Sequence, residues 1–156
     1  MAKASANGQT LRAHITVHDA KAALSFYAKA FGAVEQFRLA EPGTGRIGHA
    51  EIKIGDSILM MNDEYPSFGA KSPNAIGGSP VAFHVQVADA DAAVDRAVKA
   101  GATVVRPVQD QFYGDRSGMV ACPFGYRWFL AAPKEVVSPA EMQKRWSQML
   151  ESGKTE

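Results

Sequence analysis

The sequence predicts an α+β fold that is built from two tandem βαβββ modules and a C-terminal helix. The main observation is an internal repeat, because residues 14–30 align with residues 84–100 and eight of the seventeen aligned positions are identical. Each copy reads as a strand, an aspartate suited to cap a helix, and a helical pattern that ends at a glycine. Three short extended segments follow each helix. Each half of the chain is therefore expected to supply four strands and one helix.

The first module is predicted to begin with a strand that ends before Asp19, which caps a helix that closes at Gly32. Apolar residues recur at helical spacing along this helix and predict one buried face. They are Ala20, Ala23, Leu24, Tyr27 and Phe31. Three strands are expected at 34–39, 47–54 and 57–62, and the Gly55-Asp56 pair suits a two-residue hairpin turn between the last two.

The second module repeats this order, with a helix expected between Asp89 and Gly101 and strands at 103–108, 118–121 and 126–131. A final helix is predicted because Ser138-Pro-Ala-Glu141 has the form of a capping box with proline at the first helical position. Its apolar residues Met142, Trp146 and Met149 form a stripe that needs an apolar partner.

The predicted boundaries are a disordered N-terminus at 1–9, a first module at 10–70, a linker at 71–80, a second module at 81–133, and a C-terminal helix and tail at 134–156. The linker is assigned because it is rich in glycine, proline and serine. The last residues, 153–156, are expected to fray.

The amino-acid composition excludes several classes of function. Seventeen basic against sixteen acidic residues give a net charge of +1, which disfavours a nucleic-acid or membrane partner. No apolar run approaches the roughly 20 residues that span a bilayer, and the first residues lack the apolar stretch of a signal peptide. A single cysteine, Cys122, excludes an intramolecular disulfide. We expect a cytoplasmic protein.

Several motifs resemble the vicinal oxygen chelate superfamily, which contains glyoxalase I, bleomycin-resistance proteins and extradiol dioxygenases, and in particular its PhnB-like branch. The motifs are the strand-Asp-helix ending in Phe31-Gly32, His49-Ala-Glu51, Gly55-Asp-Ser-Ile-Leu-Met60, Gln111-Phe-Tyr-Gly-Asp-Arg116 and Pro123-Phe-Gly-Tyr-Arg-Trp128. The resemblance implies a curved mixed sheet around a cavity with the helices outside it. It also implies a small-molecule ligand and a homodimer that forms composite cavities.

Strand alternation then indicates which side chains would line such a cavity, because successive residues point to opposite faces of a sheet. In the first strand Ile15 and Val17 would lie under the helix and His14 would face the cavity. The fifth strand repeats this arrangement around His84. The predicted ligand-binding residues are Arg12, His14, Thr16, Glu51, Met61, His84, Gln86, Arg127 and Phe129. We expect His14 and His84 to approach one another.

The resemblance also bears on metal binding, because metal-dependent members place one ligand on each of the first, fourth, fifth and eighth strands. Those positions align here with Arg12, residues 59–61, Ala82 and Phe129, which are poor ligands for a divalent ion. No metal and no other cofactor is therefore expected. A shifted site of His14, His84 and Glu51 stays open as the alternative.

Two classes of function follow from this reasoning. The first is a glyoxalase/bleomycin-resistance-like protein that binds a small molecule in a barrel-like cavity without the usual metal site. The second is a metal-dependent lyase, isomerase or dioxygenase that uses the shifted site. No catalytic residue is assigned at this stage.

Overall fold

The computed structural model describes residues 8–153 and places the strands and helices in the predicted order. The elements are β1 (Ala13–Val17), α1 (Ala20–Phe31), β2 (Val34–Ala40), β3 (Ile47–Ile54), β4 (Ser57–Asp63), α2 (Pro73–Ile76), β5 (Ala82–Gln86), α3 (Ala90–Ala100), β6 (Thr103–Asp110), β7 (Asp115–Ala121), β8 (Arg127–Pro133) and α4 (Pro139–Glu151). The disorder expected at 1–9 and the fraying expected at 153–156 fall mainly on residues outside this range.

The strands form two four-stranded mixed sheets with the orders β1-β4-β3-β2 and β5-β8-β7-β6. In each sheet the first pair is parallel and the other two pairs are antiparallel. A parallel pair needs a crossover between its strands, and the helix of each module supplies part of it. The matching orders confirm the two βαβββ modules that the repeat predicts.

The predicted helix caps are confirmed at both copies of the repeat. The carboxylate of Asp19 accepts a hydrogen bond from the backbone N–H of Ala22 at 2.9 Å, and Asp89 accepts one from Ala92 at 3.0 Å. These bonds satisfy N–H groups that the first turn of a helix leaves unpaired. Helix α1 ends at Gly32, whose φ of 66° lies in the left-handed region that favours glycine.

Strand β7 begins three residues earlier than predicted, at Asp115 rather than at Gly118. The glycine does not interrupt this strand. A Cβ at position 118 would lie 2.9 Å from Val108 Cγ2 and 3.2 Å from Val94 Cγ2. The missing side chain therefore allows α3 to pack closely on the sheet, which is another use of glycine inside a strand.

The segment predicted as a linker, 71–80, contains the short helix α2 and is partly packed. Ser72 and Pro73 are buried. Gly125, in the β7–β8 turn, lies so near that a Cβ there would be 2.5 Å from Pro73 Cβ. The segment therefore contacts the second module as well as connecting the two.

One hydrophobic core joins the two modules, because α1 packs on the second sheet as well as on its own. The ring of Phe31 lies 4.6 Å from that of Trp128 on β8, and the hydroxyl of Tyr27 lies 3.4 Å from Cys122 Sγ. From α3, Arg96 Nε donates to the carbonyl of Lys29 at 2.7 Å, near the end of α1. The modules are thus held together by apolar burial and by hydrogen bonds at a helix terminus.

Helix α4 has the predicted cap, since Ser138 Oγ accepts from the N–H of Glu141 at 3.2 Å. None of its described residues is buried. Arg145 links it to the rest of the chain by donating to the carbonyl of Phe112 at 3.2 Å and to Glu135 at 2.6 Å. Within the predicted stripe, Met142 and Met149 are half-buried and Trp146 is exposed, and Leu150 beside it is exposed as well.

Candidate functional site

Each sheet has one face that contributes to the helix-covered core and an opposite face that we call its open face. In β1, Ile15 and Val17 are 4% and 0% exposed and belong to the core, whereas His14 is exposed. The register pairs His14 with Met60 and Thr16 with Asn62, so these four residues share the first open face. The alternation that the sequence predicts for β1 is therefore confirmed.

A connected polar group lies on the first open face and involves the predicted residues Arg12, His14 and Glu51. One carboxylate oxygen of Glu51 lies 3.4 Å from His49 Nε2, and the other lies 3.7 Å from Arg12 Nη1. The rings of His14 and His49 meet edge to face at 5.5 Å. The Glu51 side chain is only 16% exposed, so these contacts are partly shielded from water.

Apolar side chains flank the polar group. The register pairs Phe37 with Glu51 and Leu39 with His49 on the neighbouring strand β2. Phe37 and Leu39 are 43% and 60% exposed, and the ring of Phe37 lies 5.7 Å from that of His49. The first open face therefore offers apolar surface beside groups that donate and accept hydrogen bonds.

A shallow, open cavity of about 630 Å³ lies at one end of this face and includes His14, Leu39, Asn62 and Tyr65 in its wall. Thr16 Oγ1 donates to Asn62 Oδ1 at 3.3 Å, so the predicted residue Thr16 contacts a wall residue of the cavity. The Tyr65 hydroxyl donates to Glu41 at 3.2 Å, and burial, followed by this hydrogen bond, raises the pKa of Tyr65. A phenol whose pKa is at or above the ordinary value of about 10 is protonated at neutral pH, so this hydroxyl acts as a donor.

The second open face carries His84, Gln86, Arg127 and Phe129, as predicted. His84 stacks on Phe129 with ring centroids 6.0 Å apart, and its Nε2 lies 4.0 Å from Asp115 Oδ2. The register places His84 opposite Phe129 and Gln86 opposite Ala131. These contacts differ from those of His14, although the two histidines are equivalent in the repeat.

The segment before β7 covers part of the second open face. Gln111 Nε2 donates to the carbonyl of Ser117 at 3.3 Å, and the hydroxyls of Tyr113 and Ser117 lie 3.2 Å apart. Ser117 is consequently 1% exposed.

Three predicted residues line a cavity between the modules. Arg12, His84 and Gln86 all belong to its wall, and its volume is about 690 Å³. We call this space the inter-module cavity. It lies between the edge strand β5, the start of β1 and the β3–β4 turn.

Met61 does not lie with the other predicted ligand residues. It is fully buried, pairs with Ile15 and Ala50 in the register, and belongs to the core. Its neighbour Met60 occupies the open face instead. Successive residues of a strand face opposite sides of the sheet, so Met60 and not Met61 lies on the open face. The prediction that Met61 binds a ligand is therefore wrong.

The structure does not bring His14 and His84 together, which corrects a second expectation. Within residues 8–153 no hydrogen bond or ring contact joins them, and they line different cavities. The physical reason is that each histidine belongs to a separate sheet and packs on neighbours from that sheet. In the same range, no three His, Cys, Asp or Glu side chains are grouped as a metal site would require.

Sequence reasoning left out several residues that shape these sites. His49 is not among the predicted ligand residues, although its alternation with Glu51 in the sequence places both on one face. Phe37 and Leu39 were missed because β2 shifts register between Glu35 and Phe37, which breaks a simple two-residue period.

Comparison with known proteins places this arrangement in a family. Residues 9–130 match the model of the Glyoxalase/Bleomycin resistance protein/Dioxygenase superfamily. The chain belongs to this superfamily. The protein Rv0887c of Mycobacterium tuberculosis is 45% identical over 140 residues, which cover 88% of this chain and 82% of that protein.

Two solved structures extend the comparison. The crystal structure of At5g48480 from Arabidopsis thaliana matches with a TM-score of 0.62 and 29% identity over 79% of this chain and 96% of that chain. The PhnB protein of Bacillus cereus matches with a TM-score of 0.61 and 15% identity over 80% of this chain and 99% of that one, which shows a shared fold. The resemblance to the superfamily is confirmed by the family match over residues 9–130, and the PhnB protein shares its fold with this chain. Among residues 8–153, no helix has the length and apolarity needed to cross a bilayer.

Proposed function

We propose that this superfamily member binds a small organic molecule on its first open face and does so without the metal-ligand positions of its family. The observation that carries the proposal is the polar group of Arg12, His14, His49 and Glu51 beside the exposed Phe37. A binding site for a small molecule combines apolar walls with a few convergent polar groups. The first open face has both features.

The polar group lies apart from the core that stabilises the fold. Its members face away from the helix-covered side of the sheet, and β3 contributes Ala50 and Ile52 to that core instead, each at most 1% exposed. The exposed apolar surface of Phe37 and Leu39 is unfavourable in water. A ligand with an apolar body and a polar head would cover this surface and exchange hydrogen bonds with Glu51 or the imidazoles.

The metal-dependent alternative needs a donor set that the structure does not assemble. His14 and Glu51 lie on the first sheet, whereas His84 lies on the second and contacts Asp115. A catalytic zinc site usually has three protein ligands in one place. These residues do not fit such an ion within one chain, and we derive no reaction step through a metal.

The proposal includes a second copy of the chain as partner. On helix α4, Trp146 of the apolar stripe is 45% exposed, and Leu150, which lies one turn further on, is 46% exposed. Exposed apolar residues gathered on one helix face favour association with another protein surface. A homodimer would cover this stripe and could enclose the open faces, as the family resemblance implies.

Thermal unfolding with a panel of planar aromatic carboxylic acids and their amides tests the binding proposal. We expect at least one compound to raise the melting temperature in proportion to its concentration. For an amide whose N–H donates to Glu51, Glu51→Gln should weaken the affinity about tenfold, because a hydrogen bond to a charged group is lost. Comparison of each acid with its amide shows whether the face binds an anionic or a neutral head group more tightly.

Glu35→Gln is the matched control. Glu35 also pairs with an arginine, Arg38, at 2.6 Å, but the register places it opposite Ile52, which belongs to the core side of β3. The control should retain the wild-type affinity. Equal weakening by both substitutions, or no weakening by Glu51→Gln, would contradict the proposed site.

Sedimentation velocity at tens of micromolar tests the dimer. We expect a dimer for the wild-type chain and a larger monomer fraction for Trp146→Gln. Val136→Ser, at a fully exposed apolar residue before α4, serves as the control and should stay dimeric. A wild-type chain that is monomeric throughout would refute this part of the proposal.

A further inference from the structure

A short hairpin borders one end of the first open face, and the proposed function makes no use of it. Tyr65 and Ala70 pair as an antiparallel bridge, with backbone hydrogen bonds of 2.9 Å and 3.1 Å between them. The turn inside the bridge is also hydrogen-bonded, since the N–H of Phe68 donates to the carbonyl of Tyr65 at 2.9 Å. We call residues 65–70 the end hairpin. Its own hydrogen bonds fix the shape of its backbone.

Tyr65 ties the end hairpin to the turn between β2 and β3. Its hydroxyl donates to Glu41 at 3.2 Å, and the guanidinium of Arg46 lies over its ring, 4.8 Å from the centroid. A Cβ at Gly48 would lie 3.5 Å from the Tyr65 hydroxyl oxygen, so this hydroxyl lies close to the backbone of β3. These contacts hold the end hairpin beside the first open face.

The end hairpin holds a large apolar side chain in water. Phe68 is 85% exposed, and it lines the same shallow cavity as Leu39, which is 60% exposed. An apolar molecule in this cavity would remove part of both side chains from water, which is favourable. His14 belongs both to the wall of this cavity and to the polar group, so the cavity continues the proposed binding face.

The strand register indicates how far a ligand must extend from the polar group to reach the end hairpin. Met60 lies opposite both Glu51 and His14, so these three residues form one row across the sheet. Asn62, which lines the cavity, is two positions further along β4, a step of about 7 Å. The end hairpin follows the end of β4, so Phe68 lies beyond this step. An amide held at Glu51 leaves a single attached ring short of Phe68, whereas a second fused ring extends towards it.

We propose that the cavity beside the end hairpin receives the apolar body of the ligand, and that Phe68 selects molecules with two fused aromatic rings over those with one. The inference rests on the function proposed above, because the head group of the same ligand is bound at Glu51. Phe68 packs on the distal ring from the end hairpin, and Leu39 contacts it from β2. The ligand class is therefore a bicyclic aromatic molecule whose head group donates a hydrogen bond.

Benzamide and 2-naphthamide test this selection, because they share the amide and differ by one fused ring. Chemical-shift titration of the ¹⁵N-labelled chain measures both affinities, even where they are weak. We expect Phe68→Ala to weaken the binding of 2-naphthamide about fivefold, through the loss of one aromatic contact, and to leave benzamide unchanged. Ile76→Ala is the matched control, since this apolar residue of α2 is 62% exposed and lies outside the cavity wall. It should change neither affinity.

Glu51→Gln separates this inference from the function on which it rests. It should weaken both compounds by the same factor, about tenfold, because they share the head group. An unchanged affinity of Phe68→Ala for 2-naphthamide, or equal weakening of both compounds, would overturn the role of Phe68, while an effect of Glu51→Gln would still support binding on the first open face. Failure of both compounds to bind the wild-type chain would also overturn it, and the wider panel then tests the face by itself. Because Phe68 is exposed, its replacement should leave the fold intact, which circular dichroism checks.

Discussion

Replacement of Gly125 by alanine tests how the segment between the modules is packed. Gly125 has a φ of 87°, and a Cβ there would lie 2.5 Å from Pro73 Cβ and 2.9 Å from Asn74 Oδ1. Gly43 has the same φ of 87°, yet a Cβ at that position would meet nothing within 4 Å. The two glycines therefore share their backbone strain and differ in their surroundings.

The expected magnitudes follow from this difference. Gly43→Ala should lower the free energy of unfolding by about 1 kcal/mol, because alanine in the left-handed region is strained. Gly125→Ala carries the same strain and adds about 2 kcal/mol for the displacement of Pro73, whose ring is not a flexible side chain. Urea unfolding at 25 °C, followed by circular dichroism, measures both. Values that agree within about 0.5 kcal/mol would refute the packing of α2 against the β7–β8 turn.

Two further substitutions test individual interactions. Asp63 accepts hydrogen bonds from the first backbone N–H of α1 and from that of β3, at 2.7 Å each, so Asp63→Asn should lower the free energy of unfolding by about 2 kcal/mol in urea. The control Asp95→Asn, at an exposed residue of α3, should leave that free energy almost unchanged. Equal effects of the two substitutions would contradict this role of Asp63. A hydrogen bond from Arg116 lowers the pKa of Asp91, and hydrogen bonds from Lys134 and then from Arg116 lower the pKa of Asp110. These ion pairs therefore stabilise the folded state above the unfolded-state pKa, and the stabilisation is lost as the pH falls below about 4. Arg116→Gln should flatten this part of the stability profile in acid titration, and an unchanged profile would show that the ion pairs contribute nothing.

Much of the fold could be predicted because the repeat marks each element twice. Asp19 and Asp89 begin the helices in both copies, and chemistry that is local in sequence determines such caps. The alternation in β1 is also readable, since Ile15 and Val17 are apolar and His14 and Thr16 are polar. A strand with one apolar and one polar face displays its orientation in the sequence.

Strand β4 shows where this reading fails. Residues 58–61 are all apolar, so the sequence does not reveal which of Met60 and Met61 faces the core. The register decides it, because Met61 pairs with Ile15. A strand with apolar residues on both faces cannot be oriented from a period of two.

Contacts between distant elements account for the remaining differences. The role of Gly118 depends on α3, which packs against it from another part of the chain. The separation of His14 from His84 likewise depends on how the two sheets are placed. None of these features has a local signature in the sequence.

The central claim, binding on the first open face, is tested most directly by the imidazole signals of the four histidines during titration with the panel compound of highest affinity. His14 and His49 lie on this face, whereas His18 stacks on Phe124 and contacts Asn74, and His84 reports on the second sheet. The account predicts that the His14 and His49 ring signals shift together and saturate at the affinity found by thermal unfolding, while His18 does not move. Saturable binding that leaves His14 and His49 unchanged would contradict it.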